Sequence, residues 1–154
     1  MTAVRYVTIS PDGTVALRGG PLDLHPGGPG VPARVELDPR SRSTAFVGDA
    51  AQPRNVVGSC VLTVLGAAPR PYGGTVVLTG WHDRGETAEI SDLPVPFDTV
   101  LFITCCVRRA LDGEPPADGD FTAGWAAAVR TFAARVRAAA DPPTTTLLVP
   151  GGVA

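Results

Sequence analysis

The period of the apolar positions changes several times along the chain, and each change marks an element. Val4 to Ile9 sets Val4, Tyr6 and Thr8 against Arg5, Val7 and Ile9 in a run rich in β-formers, which predicts a strand. Ser10-Pro11-Asp12-Gly13 carries Pro and Gly where a tight turn wants them, so Thr14 to Leu17 is expected to pair back as the second arm of a hairpin. Ala33 to Leu37 alternates again, with Val35 and Leu37 on one face. Asp38-Pro39-Arg40-Ser41 then turns the chain, and Ser43 to Val47 returns as another strand. Arg18 to Gly30, rich in Gly and Pro and containing His25, shows no period and reads as a surface loop.

The period lengthens at Asn55. Val57, Cys60, Val61, Val64 and Leu65 follow the i, i+3, i+4, i+7, i+8 spacing of one apolar helix face. Asn55 or the Asp49/Gln52 pair is placed to cap this helix, and Gly66, followed by Pro69 and Pro71, ends it. Thr75 to Leu78 is an apolar run between Gly73-Gly74 and Gly80, which suits a central strand buried on both faces. WHDRGE (Trp81 to Glu86) reads as a polar turn, and Thr87 to Ile90 as a strand paired with Thr75 to Leu78. Val100 to Val107 has strand propensity, yet it runs into Arg108-Arg109-Ala110-Leu111 with Asp98 before it and Gly113 after. Charges so placed favour a helix dipole, so residues 97–111 are read as a buried helix. Asp120 is placed to cap an amphipathic helix over Phe121 to Ala140, with Trp125, Val129, Phe132 and Val136 as its stripe. Thr144 to Val149 is read as a last edge strand.

These elements predict an α+β fold: a mostly antiparallel sheet of five or six strands covered by about three helices, the Asn55 helix and two carboxy-terminal ones. Residues 1–154 are expected to form a single domain, with loops at 10–13 and 19–30 and a tail at 150–154. A chain of 154 residues buries roughly 70% of its unfolded surface, enough for a packed core without disulfides or metal.

Composition narrows the function classes. All 13 basic residues are Arg, and the formal net charge is −2. An all-Arg basic set with a single Asn (Asn55) and a single Gln (Gln52) is what codon bias in a GC-rich genome leaves. No broad basic field is available for a phosphate backbone, so no nucleic-acid partner is expected. The three cysteines, Cys60, Cys105 and Cys106, lie in apolar runs and form no disulfide framework, which suits small hydrophobes in a reducing compartment. MTAVRYVTIS lacks the build of a signal peptide, and no apolar run approaches the roughly 20 residues of a spanning helix. A cytoplasmic chain without a membrane partner is expected.

Candidate chemistry is thin. Trp81, His82 and Asp83 lie just past the carboxyl end of the central strand, where ligands tend to sit. His82 and Asp83 are, however, sequence neighbours, which point apart. Asn55 is a helix cap that also suits presenting backbone N–H groups to an anion. Tyr72, at the turn into the central strand, reads as a core-edge aromatic and not as a catalytic phenol. His25, His82 and the cysteines have no zinc-site spacing, Gly73-Gly74 lacks the rest of a phosphate loop, and no GxSxG is present. Asp118-Gly119-Asp120 reads as a turn plus cap. No catalytic set, no metal and no cofactor are expected.

Pro11-Asp12-Gly13 after a first strand, Pro53 and Asn55 opening a helix, and PYGGTVVLTG (Pro71 to Gly80) together resemble uncharacterised small proteins of actinobacteria and their phages and plasmids. The likeness covers roughly residues 1–90. It implies a context and no activity or site.

The leading expectation is a non-catalytic accessory or protein-interaction module, with an unknown protein or a second copy as partner. The alternative is a small-molecule-binding protein or minor enzyme with a pocket near Asn55, Tyr72, Trp81 and His82, which requires those four side chains to converge. Homodimerisation through the Trp125 helix is a third expectation, conditional on Trp125 and Phe132 being exposed.

Overall fold

The computed structural model describes residues 3–24, 31–49, 51–117, 119 and 121–139. Six strands and three helices follow in the order β1 (Ala3–Ile9), β2 (Val15–Pro21), β3 (Ala33–Glu36), β4 (Ser43–Gly48), α1 (Val56–Val64), β5 (Gly73–Arg84), β6 (Thr87–Ser91), α2 (Phe97–Leu111) and α3 (Ala123–Ala138). All strand pairs are antiparallel, in the order β2-β1-β5-β4-β3, with β6 on the far half of β5. This is the expected α+β architecture.

The two early hairpins form as the turn chemistry dictates. Gly13 takes φ +87°, and the Asp12 carboxylate accepts from the Thr14 N–H at 2.9 Å. That bond holds the Asp12 carboxyl below its ordinary pKa. Between β3 and β4, Asp38 caps a single 3-10 turn at Pro39–Ser41. The Asp38 carboxylate, too, is held below its usual range, first by the Arg40 N–H and then by the Arg40 side chain.

The core divides across the sheet. On one face Val7, Ile9, Ala45, Val76 and Leu78 meet Val61 and Leu62 of α1, Val107 of α2 and Ala133 of α3. On the other face Val4, Tyr6, Phe46 and Val77 form a smaller cluster against Leu22, Trp81 and Ile90. β5 is therefore buried on both sides at Val76, Val77 and Leu78, as its unbroken apolar run predicts.

Asn55 ties the layers together. Its Oδ1 accepts from the Gly58 N–H at 2.7 Å, capping α1, while its Nδ2 donates to the carbonyls of Ile9 in β1 and Gly74 in β5 at 2.8 and 2.9 Å. The residue is wholly buried. Gly58 must be glycine for this, because a Cβ there would fall 2.6 Å from the Asn55 Cγ. Ser59 adds a second tie, its Oγ accepting from the Tyr72 N–H at 2.9 Å.

Several boundaries differ from the sequence expectation. Arg18 to Pro21 continue β2 instead of opening a loop, because β1 supplies partners as far as Ala3. Trp81 to Arg84 are strand, and the turn is at Gly85-Glu86, so β6 pairs with Gly80–Arg84 and not with Thr75–Leu78. The reason is topological: the middle of β5 is already flanked by β1 and β4 and has no free edge to offer. α1 buries Gly58 to Leu62 and leaves Val64 exposed, because it is packed by β5, α2 and α3 at once and not along one stripe. Thr122 caps α3, its hydroxyl accepting from the Trp125 N–H. Residues 97–111 are helical as read, closing on Gly113 at φ +74°. The helix is not buried, however: Val100, Thr104 and Val107 face the core while Leu101, Phe102 and Cys105 are exposed, because the core covers one side of it only. His25, Asp118, Asp120, Thr144 to Val149 and the 150–154 tail lie outside the described residues.

Candidate functional site

The structure separates the residues that the sequence singles out. Asn55 has all its polar atoms engaged in the core and reaches no surface. Tyr72 is also buried, its hydroxyl donating to the Ala68 carbonyl at 2.7 Å and its ring lying under Arg70. It lines a trough of about 590 Å³ between β3 and the Gly66–Tyr72 loop. Trp81, His82 and Asp83 do come together, in a cleft of about 410 Å³ whose other walls include Arg34, Glu36 and Arg42. Arg34 and Glu36 border both hollows, so β3 is the ridge between them. The four-residue pocket near Asn55, Tyr72, Trp81 and His82 does not assemble.

Local geometry sets the character of the cleft. The Arg34 guanidinium stacks 4.0 Å above the Trp81 ring, and its Nη1 lies 3.6 Å from the Glu36 carboxylate. Arg42 is the one non-glycine in the left-handed region among the described residues, at φ 52°. It is pinned there because its N–H donates to Pro39 and its carbonyl accepts from the Trp81 N–H at 2.9 Å. A branched or long side chain in that conformation costs on the order of 1 kcal/mol. The Arg42, His82 and Asp83 side chains have no hydrogen-bond or ion-pair partner among the described residues. His82 and Asp83 are successive strand residues and project to opposite faces, so they cannot act as an oriented acid–base pair. Among the described residues no group of three His, Cys, Asp or Glu is placed to hold a metal ion.

A second surface lies on the helical layer. Val64, Phe102, Ile103, Cys106 and Trp125 line an apolar groove of about 390 Å³ between α1, α2 and the start of α3. Phe102 is 50% exposed, Val64 44%, and the adjoining Leu101 39%. Trp125 and Phe132 are only partly exposed, packed against the core, so the Trp125 stripe itself is not a free face. Sequence reasoning missed Phe102. The signal was present: α2 is apolar on its outer side (Leu101, Phe102, Cys105) as well as its inner side, more than a helix covering one sheet needs.

The cysteines divide by burial. Cys60 and Cys106 are buried and Cys105 is exposed. Burial pushes the Cys60 thiol up to about 11, with a small opposing pull from Arg137. Among the described residues no helix is long and apolar enough to cross a membrane.

No family model matches the chain, and no curated protein does. Among solved structures, the crystal structure of the small RNA methyltransferase HEN1 superposes on 68% of this chain with a TM-score of 0.44 and 13% identity. The chain spans 16% of the length of that protein, and likeness at this level carries no functional argument.

Proposed function

We propose that this chain is a non-catalytic protein-interaction module that receives an apolar helical segment of a partner protein in the groove between α1, α2 and α3. The observation that supports this is the half-exposed Phe102, beside Val64 and Leu101, over a groove floored by Trp125 and Ile103. An aromatic side chain offers roughly 150–250 Å² for burial, so covering the free half of Phe102 contributes on the order of 2 kcal/mol. Such a groove takes side chains at helical spacing from a docked amphipathic helix. An accessory role in the cytoplasm of a cell carrying a mobile element is the setting that the sequence resemblance supplies. The test is cross-linking mass spectrometry on gently purified protein. A companion should link to the α1–α2–α3 groove, be lost with Phe102→Asp, and be kept with His82→Ala and Asp83→Ala. Loss of the companion in the His82 or Asp83 variants, with the fold intact, overturns the reading.

A second reading has its own support. The Arg34–Trp81 stack beside the unpartnered Arg42 suits a small ligand with a planar body and an anionic group. Native mass spectrometry decides it: a stoichiometric small mass that disappears with Arg42→Ala favours the cleft, and a bare chain refutes it.

A further inference from the structure

Independently of the helical groove, we propose that two copies of this chain pair through the free edges of their β3 strands, in the register that sets Arg34 of each copy against Glu36 of the other. β3 closes one side of the sheet, with β4 its single strand partner among the described residues. The Val35 carbonyl points inward to β4, where it accepts from the Thr44 hydroxyl at 3.0 Å. Backbone groups alternate in direction along an extended strand, so those of Arg34 and Glu36 point outward. Among the described residues no bond from outside the β3–β4 ladder takes them up. The open stretch is short, because the next outward N–H, that of Asp38, donates to the Leu65 carbonyl at 3.1 Å. An edge of that length is a template for a strand as short as β3 itself.

The charges on β3 say which strand fits. Arg34 and Glu36 are two residues apart and so stand on one face, the one away from the helices. Glu36 is 83% exposed and Arg34 35%. A two-fold antiparallel pairing centred on Val35 brings Arg34 opposite Glu36 twice. Because these are the outward-facing residues, both contacts are hydrogen-bonded pairs that exchange N–H···O=C bonds in each direction. Both also place opposite charges directly across the seam, the favourable cross-strand arrangement. Sliding the register by two residues either way sets Arg34 against Arg34 or Glu36 against Glu36, and like charges there are destabilising. Sliding it by one turns the helices of the two copies to opposite faces. The pattern is therefore self-complementary, as a closed two-fold contact requires. The opposite edge has no equivalent: β2 carries Gly19 and Gly20 and ends on Pro21, which has no N–H to donate.

Sedimentation velocity over roughly 1–100 μM, which brackets a micromolar dissociation constant, tests the proposal. The unmodified chain should shift from monomer to dimer. Glu36→Arg, at an exposed site that leaves the fold intact by circular dichroism, should raise the dissociation constant at least about tenfold by placing like charges at both pairs. The double swap Arg34→Glu/Glu36→Arg should restore it to within about threefold. Because Arg34→Glu also removes the stack on Trp81, hydrogen exchange gives a second readout on the unmodified chain: the Arg34 and Glu36 amides should gain protection as the dimer forms. A chain monomeric at the highest concentration overturns the proposal. So does a dimer indifferent to Glu36→Arg or unrestored by the swap, and so do Arg34 and Glu36 amides that gain no protection. A dimer abolished by Phe102→Asp but not by Glu36→Arg also overturns it and makes the second copy the occupant of the helical groove.

Discussion

Replacing Asn55 by Ala removes three buried hydrogen bonds at once: the cap to the Gly58 N–H and the two donations to Ile9 and Gly74. No other group is placed to take these partners, since the site is wholly buried. Each buried group left unsatisfied costs about 1–3 kcal/mol, so the loss is about 4 kcal/mol, a large share of the 5–15 kcal/mol that a domain typically has. At roughly 2–4 °C per kcal/mol for a chain of this size, the melting midpoint should fall by about 8–16 °C. Asn55→Asp makes a sharper test. Its carboxylate still caps Gly58, but its second oxygen faces two carbonyls in place of an amide that donated to both. The folded state therefore resists ionisation, and the pKa of the introduced carboxyl rises above the unfolded value of about 3.9. A folded pKa raised in this way means that the folded state holds the extra proton. Stability then falls as pH rises from the unfolded toward the folded pKa, and stays low above both. The Asn55→Asp variant should thus be less stable than Asn55→Ala at neutral pH and recover on acidification toward about pH 4. Thermal and urea melts at both pH values measure this. A midpoint for Asn55→Ala within about 2 °C of the parent, or an Asn55→Asp variant that gains stability with rising pH, refutes the view that Asn55 is a structural lock.

Other consequences follow from single contacts. Thr79 is fully buried in β5 with its hydroxyl unpartnered among the described residues, so Thr79→Val should be neutral or raise stability by about 1 kcal/mol in a denaturant melt. At Gly80 a Cβ would collide with the Asp92 carbonyl and the Ser91 hydroxyl across the β5–β6 ladder; Gly80→Ala should cost about 2 kcal/mol and lower the melting midpoint by about 6 °C. Only the exposed Cys105 should alkylate quickly in the native protein, because a buried thiol raised to about 11, as at Cys60, is about one part in a thousand thiolate at pH 8. Rapid native labelling of Cys60, read by mass spectrometry of the digest, would contradict its placement.

What was legible in the sequence was what local chemistry decides. The Pro11-Asp12-Gly13 turn, the Gly66 and Gly113 stops and the apolar period of α3 need no knowledge of the rest of the chain, and each appears where read. The unbroken apolar run at Val76 to Leu78 correctly announced a strand with both faces covered. What failed was decided by distant partners. Trp81-His82-Asp83-Arg84 looks like a turn because it is polar, but β6 offers it a ladder beyond the end of β1, and polar side chains are admissible on a projecting hairpin. Asn55 was legible as a cap, whereas the contacts that bury it run to residues 46 and 19 positions away, which no local pattern encodes. The Trp81 cleft was half legible: three neighbours in sequence were named, while Arg34 and Glu36 arrive from β3 and Arg42 from the β3–β4 turn.

The same division explains where function is to be sought. Of the polar residues singled out in the sequence, Asn55 is engaged by carbonyls of β1 and β5 and Tyr72 by the Ala68 carbonyl of its own loop, while Ser59 takes the Tyr72 N–H and ties α1 to the start of β5. A side chain locked in that way cannot also meet a ligand without loosening the fold. The groups left over lie at the periphery: the outward backbone of β3, the Arg42 side chain held in a strained turn, and the half-covered Phe102. None of these contributes to the core, and two carry a cost, conformational strain at Arg42 and exposed apolar surface at Phe102, that stability alone does not justify. Features that a fold retains at a cost to itself are those for which contact with another molecule supplies the compensation. For this chain they lie in the turn between β3 and β4 and on the helical surface, and that placement is what favours the proposal of a protein that acts by being bound.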